Sequence, residues 1–470
     1  MLDLAADPWG FGSRALRSGE YVLAAARIGP DGDVSDPAAI PVDLCAEYAV
    51  IATLPLAVRS ERFRGEVQLS GTDGLRLLVE PPLDDDERGA RHQRALGQRL
   101  EGRRHDPGFE RGAVLFRSYY GEICGCNPRA IHEELRRRRT SHTLYWAVRD
   151  HSVSVPEGGI AVVYESSEWY RLLHDAEFYI DNMHQAIYHR KPAHQVQLQT
   201  LHGYPFKAMG QSHWRYQRRD VAHVRSYLQR AADWDFLVSP ATYASDLLRA
   251  EFGFPNDVLE IGYPRNDVLQ SPGADAIRDR VRSRLGIRPD QTAVLYAPTF
   301  RDHMARNDFS AAMTDFLDVP ALAASLGDAF VVMVRGHAFH ARVAERIGSH
   351  GNVLDVTDYP DINHLCLASD GAVLDYSSLR FDYGLTGKPM IYLVPDLAEY
   401  AVTSRGTLFA YEPTAPGPLV TTTAEVADAV ADLAGIAAQY AEPYAAFRRD
   451  FLDLDDGHAS ERLVDRIFMR

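Results

Sequence analysis

Four short segments combine side chains that can move a proton or hold a phosphate. In Gln197-Leu-Gln-Thr-Leu-His202-Gly203-Tyr-Pro-Phe-Lys207, a strand ending near Thr200 hands a histidine and a glycine to a loop. An imidazole titrates near neutral pH and can take a proton from a hydroxyl, and glycine lets a backbone approach a ligand closely. Taken alone, His202 also fits a satisfied loop residue. Asn182, just past a strand at residues 177–180, fits either the same cleft or a plain turn. Arg335-Gly-His337 follows the strand 329–334 and offers a guanidinium and an imidazole to an anionic phosphate, or forms an ordinary surface loop. In Leu374-Asp-Tyr-Ser377-Ser378-Leu-Arg-Phe-Asp382, a strand runs through two serines into a helix, whose free amides suit either a capping hydroxyl or a phosphate. Tyr296-Ala-Pro-Thr299-Phe-Arg301 ends a fourth strand and either sends Arg301 toward the cleft or makes a structural turn.

The elements that must position these groups alternate. Strands at 113–116, 143–148, 160–164, 177–180 and 235–238 are interleaved with helices at 128–135, 168–175 and 215–230. A second series has strands at 293–296, 329–334, 353–355, 371–374 and 390–394, with helices at 320–326, 362–368 and 379–385. Short apolar strands alternating with helices predict parallel sheets, in which ligands bind beyond the carboxyl ends of the strands. Residues 15–80 instead carry short β runs, including 21–27 and 63–70, separated by turns, and predict a small antiparallel module. The Asp-, Arg- and Gly-rich stretch 84–111 reads as a linker.

Composition narrows the function. The formal net charge of −15 argues against general nucleic-acid binding, which needs a basic surface. Basic clusters at 136–139 and 215–230 fit a solvated helix face or contact with an anionic membrane or polyanionic acceptor. Only three of the 50 basic residues are lysines, Lys191, Lys207 and Lys388, and they fall in or near the segments above. There is no Gly-x-x-x-x-Gly-Lys-Ser/Thr loop, no Gly-x-Gly-x-x-Gly element after a strand and no Gly-x-Ser-x-Gly elbow. The four cysteines are too scattered for a disulfide framework or zinc module, so neither metal nor cofactor is expected. No apolar run reaches the ~18 residues of a membrane span. The amino-terminal residues lack a secretion-signal pattern. A cytoplasmic location is expected, with the basic clusters pointing to the inner face of the cell membrane.

In their order, the segments resemble the CDP-glycerol glycerophosphotransferase family, which includes teichoic acid primases and polymerases. Leu198-Gln-Thr-Leu-His-Gly-Tyr-Pro-Phe-Lys207 is similar to the family's Leu-Gln-Thr-Trp-His-Gly-Thr-Pro-Leu-Lys, and Tyr296-Ala-Pro-Thr-Phe-Arg301 to its Tyr-Ala-Pro-Thr-Trp-Arg. Asp361-Ile-Asn363, Asp375-Tyr-Ser-Ser378, Phe381-Asp-Tyr383, Lys388-Pro389 and Arg405-Gly406 continue the series, and the likeness covers about residues 112–470. Leu201 stands where the family has Trp, and Tyr204, bulkier than the family's Thr, is expected to bear on the acceptor or the transferred polyol.

The resemblance implies an α/β fold of GT-B type, two Rossmann-like domains facing a cleft, preceded by the β-rich module. The expected boundaries are 1–105 for the module and linker, 106–270 for an acceptor domain, and 271–470 for a CDP-donor-binding domain with closing helices. The resemblance makes His202 the base for the acceptor hydroxyl. It makes His337 the second catalytic histidine, which with Arg301, Ser377 and Ser378 holds the donor diphosphate and stabilises the leaving CMP; Thr299, Arg335 and Asp382 are expected on the donor side as well, and Gly203, Lys207 and Asn182 at the acceptor or cleft. The implied reaction moves glycerol phosphate, or a related polyol phosphate, from a CDP-alcohol to a hydroxyl of a teichoic acid-like or capsular polymer and releases CMP. A GT-B glycosyltransferase using a nucleotide sugar and a non-catalytic polymer-binding protein remain the competing readings. The sequence sets no oligomeric state.

Overall fold

Strands such as Ala293-Val-Leu-Tyr296 and Gly371-Ala-Val-Leu374 are apolar on both faces, so they are stable only when both faces are covered. The computed structural model describes residues 14–22, 54–69, 74–102, 109–185, 189–298, 316–336, 351–403 and 406–469, with five short strand fragments besides. It resolves into two compact units that interleave along the chain.

The first unit comprises Met1–Cys124, Thr143–Glu177 and Pro192–Gln195. Its antiparallel sheet contains β1 (Gly19–Val22), β2 (Leu56–Arg59), β3 (Arg64–Leu69) and β4 (Leu75–Glu80) in the order β1-β4-β3-β2. Leu77 and Val79 alternate into its buried face. This is the small β module expected from the turn spacing. Parallel strands follow: β5 (Glu110–Arg117), β6 (Thr143–Val148) and β7 (Gly159–Val163), with Ala113 opposite Thr143 and Leu144 opposite Gly159.

The expected linker at 84–111 contains a helix instead, Gly89–Gly102. Its charged residues masked a narrow apolar stripe, of which Leu96 and Leu100 are buried. The helix packs on the helix Ser167–Asp175, with Tyr170 donating to Gln93 Oε1 at 2.9 Å and Gln93 Nε2 to the Glu165 carbonyl at 2.8 Å.

The second unit comprises Gly125–His142, Phe178–Lys191 and Val196–Arg470. One parallel ladder joins β8 (Ala176–Asp181, in this unit from Phe178), β9 (Val196–Gln199), β10 (Phe236–Ser239) and β11 (Leu259–Glu260). The other sheet is parallel throughout: β12 (Thr292–Ala297), β13 (Phe330–Val334), β14 (Val353–Asp355), β15 (Gly371–Leu374), β16 (Met390–Leu393) and β17 (Leu419–Val420). Its order is β14-β13-β12-β15-β16-β17, so the winding reverses at β12, and the crevice beyond the carboxyl ends lies there. Val294, Val332, Val373 and Ile391 bury one face against Leu322, Val426 and Val430 of the flanking helices.

The single helix expected at 215–230 is two helices, Gln211–Tyr216 and Val221–Ala232. Arg218 takes a left-handed backbone (φ 50°), and the Asp220 carboxylate caps the second helix by accepting from His223 N at 2.8 Å. A capping carboxylate inside the basic run was the signal for that break.

The helix Ala459–Ile467 buries Leu463, Val464 and Ile467, and Asp267 caps it by accepting from Ala459 N (2.9 Å) and Ser460 N (2.8 Å). Asp267→Ala leaves two helix-end amides without this acceptor and is expected to cost about 1–2 kcal/mol, read as a lower midpoint in urea unfolding; an unchanged midpoint would show that the cap contributes nothing.

Candidate active site

The His202 loop is fixed by its own backbone. Leu201 has a left-handed conformation (φ 51°), uncommon for a bulky side chain and costing of order 1–3 kcal/mol. Its side chain is buried with Trp234, Leu237, Leu248 and Phe252, and that packing holds the turn. Gln199 stiffens the approach, its Oε1 accepting from Leu201 N (2.9 Å) and its Nε2 donating to the Met183 carbonyl (2.9 Å).

Three consecutive carbonyls of the loop each accept a hydrogen bond from a side chain brought from elsewhere in the same unit. Asn127 Nδ2 donates to Leu201 O (3.2 Å), Arg265 Nη1 to His202 O (2.6 Å) and the Tyr263 hydroxyl to Gly203 O (3.0 Å). Asn127 also accepts from Arg265 N at 3.1 Å, which ties two of these donors together.

The imidazole of His202 is solvent-exposed. Its Nδ1 lies 3.0 Å from the Asn182 carbonyl, an acceptor only, so in the neutral ring Nδ1 carries the hydrogen and Nε2 the lone pair. That is the tautomer a general base needs. Asn182 thus contributes its backbone, and its residue is fully buried.

The serine segment after β15 meets this loop directly. A Cβ on Gly203 would sit 2.7 Å from Ser378 Oγ, so the two segments touch, and a larger residue there would require the serine hydroxyl to turn away. Ser377 Oγ accepts from Leu379 N at 3.2 Å at the start of the helix Leu379–Tyr383, whereas Ser378 makes no side-chain cap. Asp382, expected beside the donor, is buried and engaged otherwise. Both of its oxygens pair with Arg265 Nη2 at 2.8 Å, and Arg265 Nε adds a third contact at 3.1 Å.

Other expected residues are placed differently from one another. Arg335 Nη1 donates to the Val356 carbonyl at 2.8 Å and to that of Tyr359, fastening the chain after β14. Lys207 bridges backbone to Thr407, and its ammonium lies 5.7 Å above the Tyr400 ring. Tyr204 does not line an acceptor path: it is buried, stacked on Phe381 at 3.8 Å within a cluster that includes Phe409 and Phe451. Two of the rare lysines are structural. Lys191 pairs with Asp235 at 2.9 Å, and Lys388 donates to the carbonyls of Cys366, Leu367 and Ser369 at 2.6–3.0 Å, with burial pushing its pKa down to about 8. Thr299, Arg301 and His337 lie outside the described residues. Among the described residues no cluster of His, Cys, Asp or Glu could hold a metal, and no helix is long and apolar enough to cross a membrane.

Sequence reasoning missed Asn127, Tyr263, Arg265 and Asp455. Gly262-Tyr-Pro-Arg265 was legible only as the point where the second alternating series begins. Gly262 was the available signal: its φ is 81°, and a Cβ there would lie 2.6 Å from Asp455 Oδ1. Asp455 anchors the segment by accepting from Tyr263 N (2.7 Å) and Asn266 Nδ2 (3.0 Å).

A match to the family model for CDP-glycerol:poly(glycerophosphate) glycerophosphotransferase spans residues 101–469. The chain belongs to this family. It is 32% identical over 372 residues to the teichoic acid poly(glycerol phosphate) polymerase of Bacillus subtilis (strain 168), covering 76% of this chain and 49% of that protein. The chain therefore spans about half the length of that relative. It is 30% identical over 370 residues to the teichoic acid glycerol-phosphate transferase of Staphylococcus aureus, covering 76% of this chain and 92% of the relative. Among solved structures, it resembles a histidine-to-asparagine variant of the wall teichoic acid polymerase TagF soaked with CDPG, with TM-score 0.73 and 27% identity, covering 81% of this chain and 94% of that one. The α/β, GT-B-type fold class expected of a glycerophosphotransferase is the one observed.

Burial pushes the Asp455 carboxyl up to about 7, outweighing the hydrogen bonds from Asn266 and Tyr263 N. Because a free aspartate titrates near ~3.9, the folded state holds an extra proton between about pH 4 and pH 7. That contribution to stability is complete below about pH 4 and lost as pH rises through about 7. Asp455→Asn is expected to flatten the fall in thermal midpoint between about pH 4 and pH 7; equal slopes for both proteins would remove Asp455 from the pH dependence.

Proposed function

We propose that the chain transfers glycerol phosphate from CDP-glycerol to an acceptor hydroxyl of a poly(glycerol phosphate) teichoic acid polymer and releases CMP. The observation that carries this reading is the His202 imidazole, held through Nδ1 so that Nε2 can accept a proton, on a loop in contact with Ser378 at the carboxyl end of β15. In the proposed step Nε2 takes the acceptor hydroxyl's proton as its oxygen attacks the glycerol-bearing phosphorus. The bond from that phosphorus to the bridging oxygen breaks, and the electron pair leaves with CMP. Such a transfer needs positioning and charge stabilisation rather than a covalent intermediate.

We assign the donor diphosphate to Ser377 and Ser378 beyond β15, with Thr299 and Arg301, which follow β12, and His337, which follows β13. Three strand ends around one winding reversal are the usual place for a nucleotide in such a sheet. Arg335 and Asp382 then act from behind, by holding backbone and Arg265 respectively. The acceptor approaches past Gly203 and Asn182, with Lys207 farther along the same loop. The serial domain boundaries near 105 and 270 stand as part of the same proposal. The matches to a glycerol-phosphate transferase and a glycerol-phosphate polymerase support glycerol as the polyol.

We also place the protein at the inner face of the cell membrane. Arg215 and Arg225 on the two helices that flank Asp220, and Arg218 and Arg219 in the turn between them, are exposed, next to Val221, which is 74% exposed. Each arginine close to an anionic leaflet contributes about 1 kcal/mol. Replacing all four by serine is expected to release the protein from sedimenting phosphatidylglycerol vesicles at low salt, with binding to neutral vesicles unchanged. Equal sedimentation of both proteins would move the contact elsewhere.

Purified protein given CDP-glycerol and acceptor should release CMP, and His202→Ala should lower that rate by at least about 100-fold with the fold intact. Release of a nucleoside diphosphate from a nucleotide sugar, with no CMP from CDP-glycerol, would replace this reading with sugar transfer.

A further inference from the structure

We infer that Arg265, held by Asp382, is a positioning residue that sets the reach of the His202 imidazole through its backbone rather than by touching the donor. The inference rests on the proposed role of His202 as base. An arginine beside a phosphate-transfer centre would ordinarily be read as an anion ligand. Its geometry here argues otherwise. Nε and Nη2 are committed to the Asp382 carboxylate, and Nη1 to the His202 carbonyl at 2.6 Å and the Cys126 sulfur at 3.2 Å. The guanidinium and carboxylate side chains are 8% and 6% exposed, so the pair sits beneath the loop.

The pair also spans elements that must be held in register. Arg265 stands in the turn after β11, Asp382 on the helix after β15, and Arg265 N and O are fixed by Asn127 Oδ1 (3.1 Å) and Asn363 Nδ2 (2.7 Å). With side chain and backbone both anchored, the Nη1 donor on His202 O has little freedom. The left-handed residue Leu201 precedes His202, so rotation of that peptide would swing the ring away from the Asn182 carbonyl. Carboxylate pairing leaves the tether without net charge, so it can hold the loop without placing a bare cation beside an imidazole that must accept a proton.

The test must separate positioning from folding, because removing one member of a buried pair strands the other. In the double variant Arg265→Met/Asp382→Leu both charges are replaced by apolar groups, and the thermal midpoint is expected within a few degrees of the parent. CMP release should show kcat lower by on the order of 100-fold, with KM for CDP-glycerol within about 2-fold. Arg265→Lys keeps a charge but loses the fork, and should not restore kcat. A folded double variant with kcat within about 3-fold of the parent, or one whose loss lies in KM alone, overturns the inference. So does full rescue by lysine.

A crystal structure of the double variant gives a readout without turnover. The His202 ring should leave the Asn182 carbonyl, and an unmoved ring overturns the inference. Should the parent itself release no CMP from CDP-glycerol, the functional reading fails, while the ring position still decides whether Arg265 holds it.

Discussion

The ion pair between Arg265 and Asp382 is the interaction on which the rest of the candidate site depends. Burying two charges costs several kcal/mol of hydration, and their attraction roughly offsets that cost only when the geometry is good and the remaining N–H groups are satisfied. Here both conditions hold, since the fork is bidentate and its outer edge meets a carbonyl and a sulfur. Net stability gained is therefore modest. What the pair specifies is a relation: the turn after β11, the helix after β15 and the histidine loop can pack in one register only.

Around it, each group has one task. Tyr263 and Asn127 hold the carbonyls on either side of His202, and Asp455 holds Tyr263 in turn. The stacking of Tyr204 on Phe381 joins the same two segments on their apolar side. Polar tethers and an aromatic cluster thus bind the histidine loop to the serine segment by independent means. The loop can then present a strained residue, Leu201, without relaxing.

Much of this architecture was legible in the chain because it follows from periodicity. Apolar runs such as Val331–Val334 and Ala372–Leu374 can hardly be anything but covered strands, and Gly-Tyr-Pro after His202 could only be a loop. The helix Gly89–Gly102 was not legible, because its buried face is narrow and arginines fill the remainder. The site divided in the same way. Groups proposed to act on a ligand announce themselves by type, as His202 and Ser378 did. Groups that act on backbone do not: Asn127 and Arg265 are separated by more than a hundred residues and meet only in the fold. The rare lysines misled for a related reason, since a compact ammonium serves the three carbonyls around Lys388 as well as it would serve a phosphate.

The dependence of Tyr263 on Asp455, and of the helix Ala459–Ile467 on Asp267, carries a consequence for synthesis of the protein. On the ribosome, the histidine loop is made hundreds of residues before the carboxylate that completes its scaffold. Until residues 455–467 clear the exit tunnel, the nascent chain holds the His202 loop without its full frame. A chain truncated before residue 455 would carry every strand described above and still lack the carboxylate that holds Tyr263 against the histidine loop.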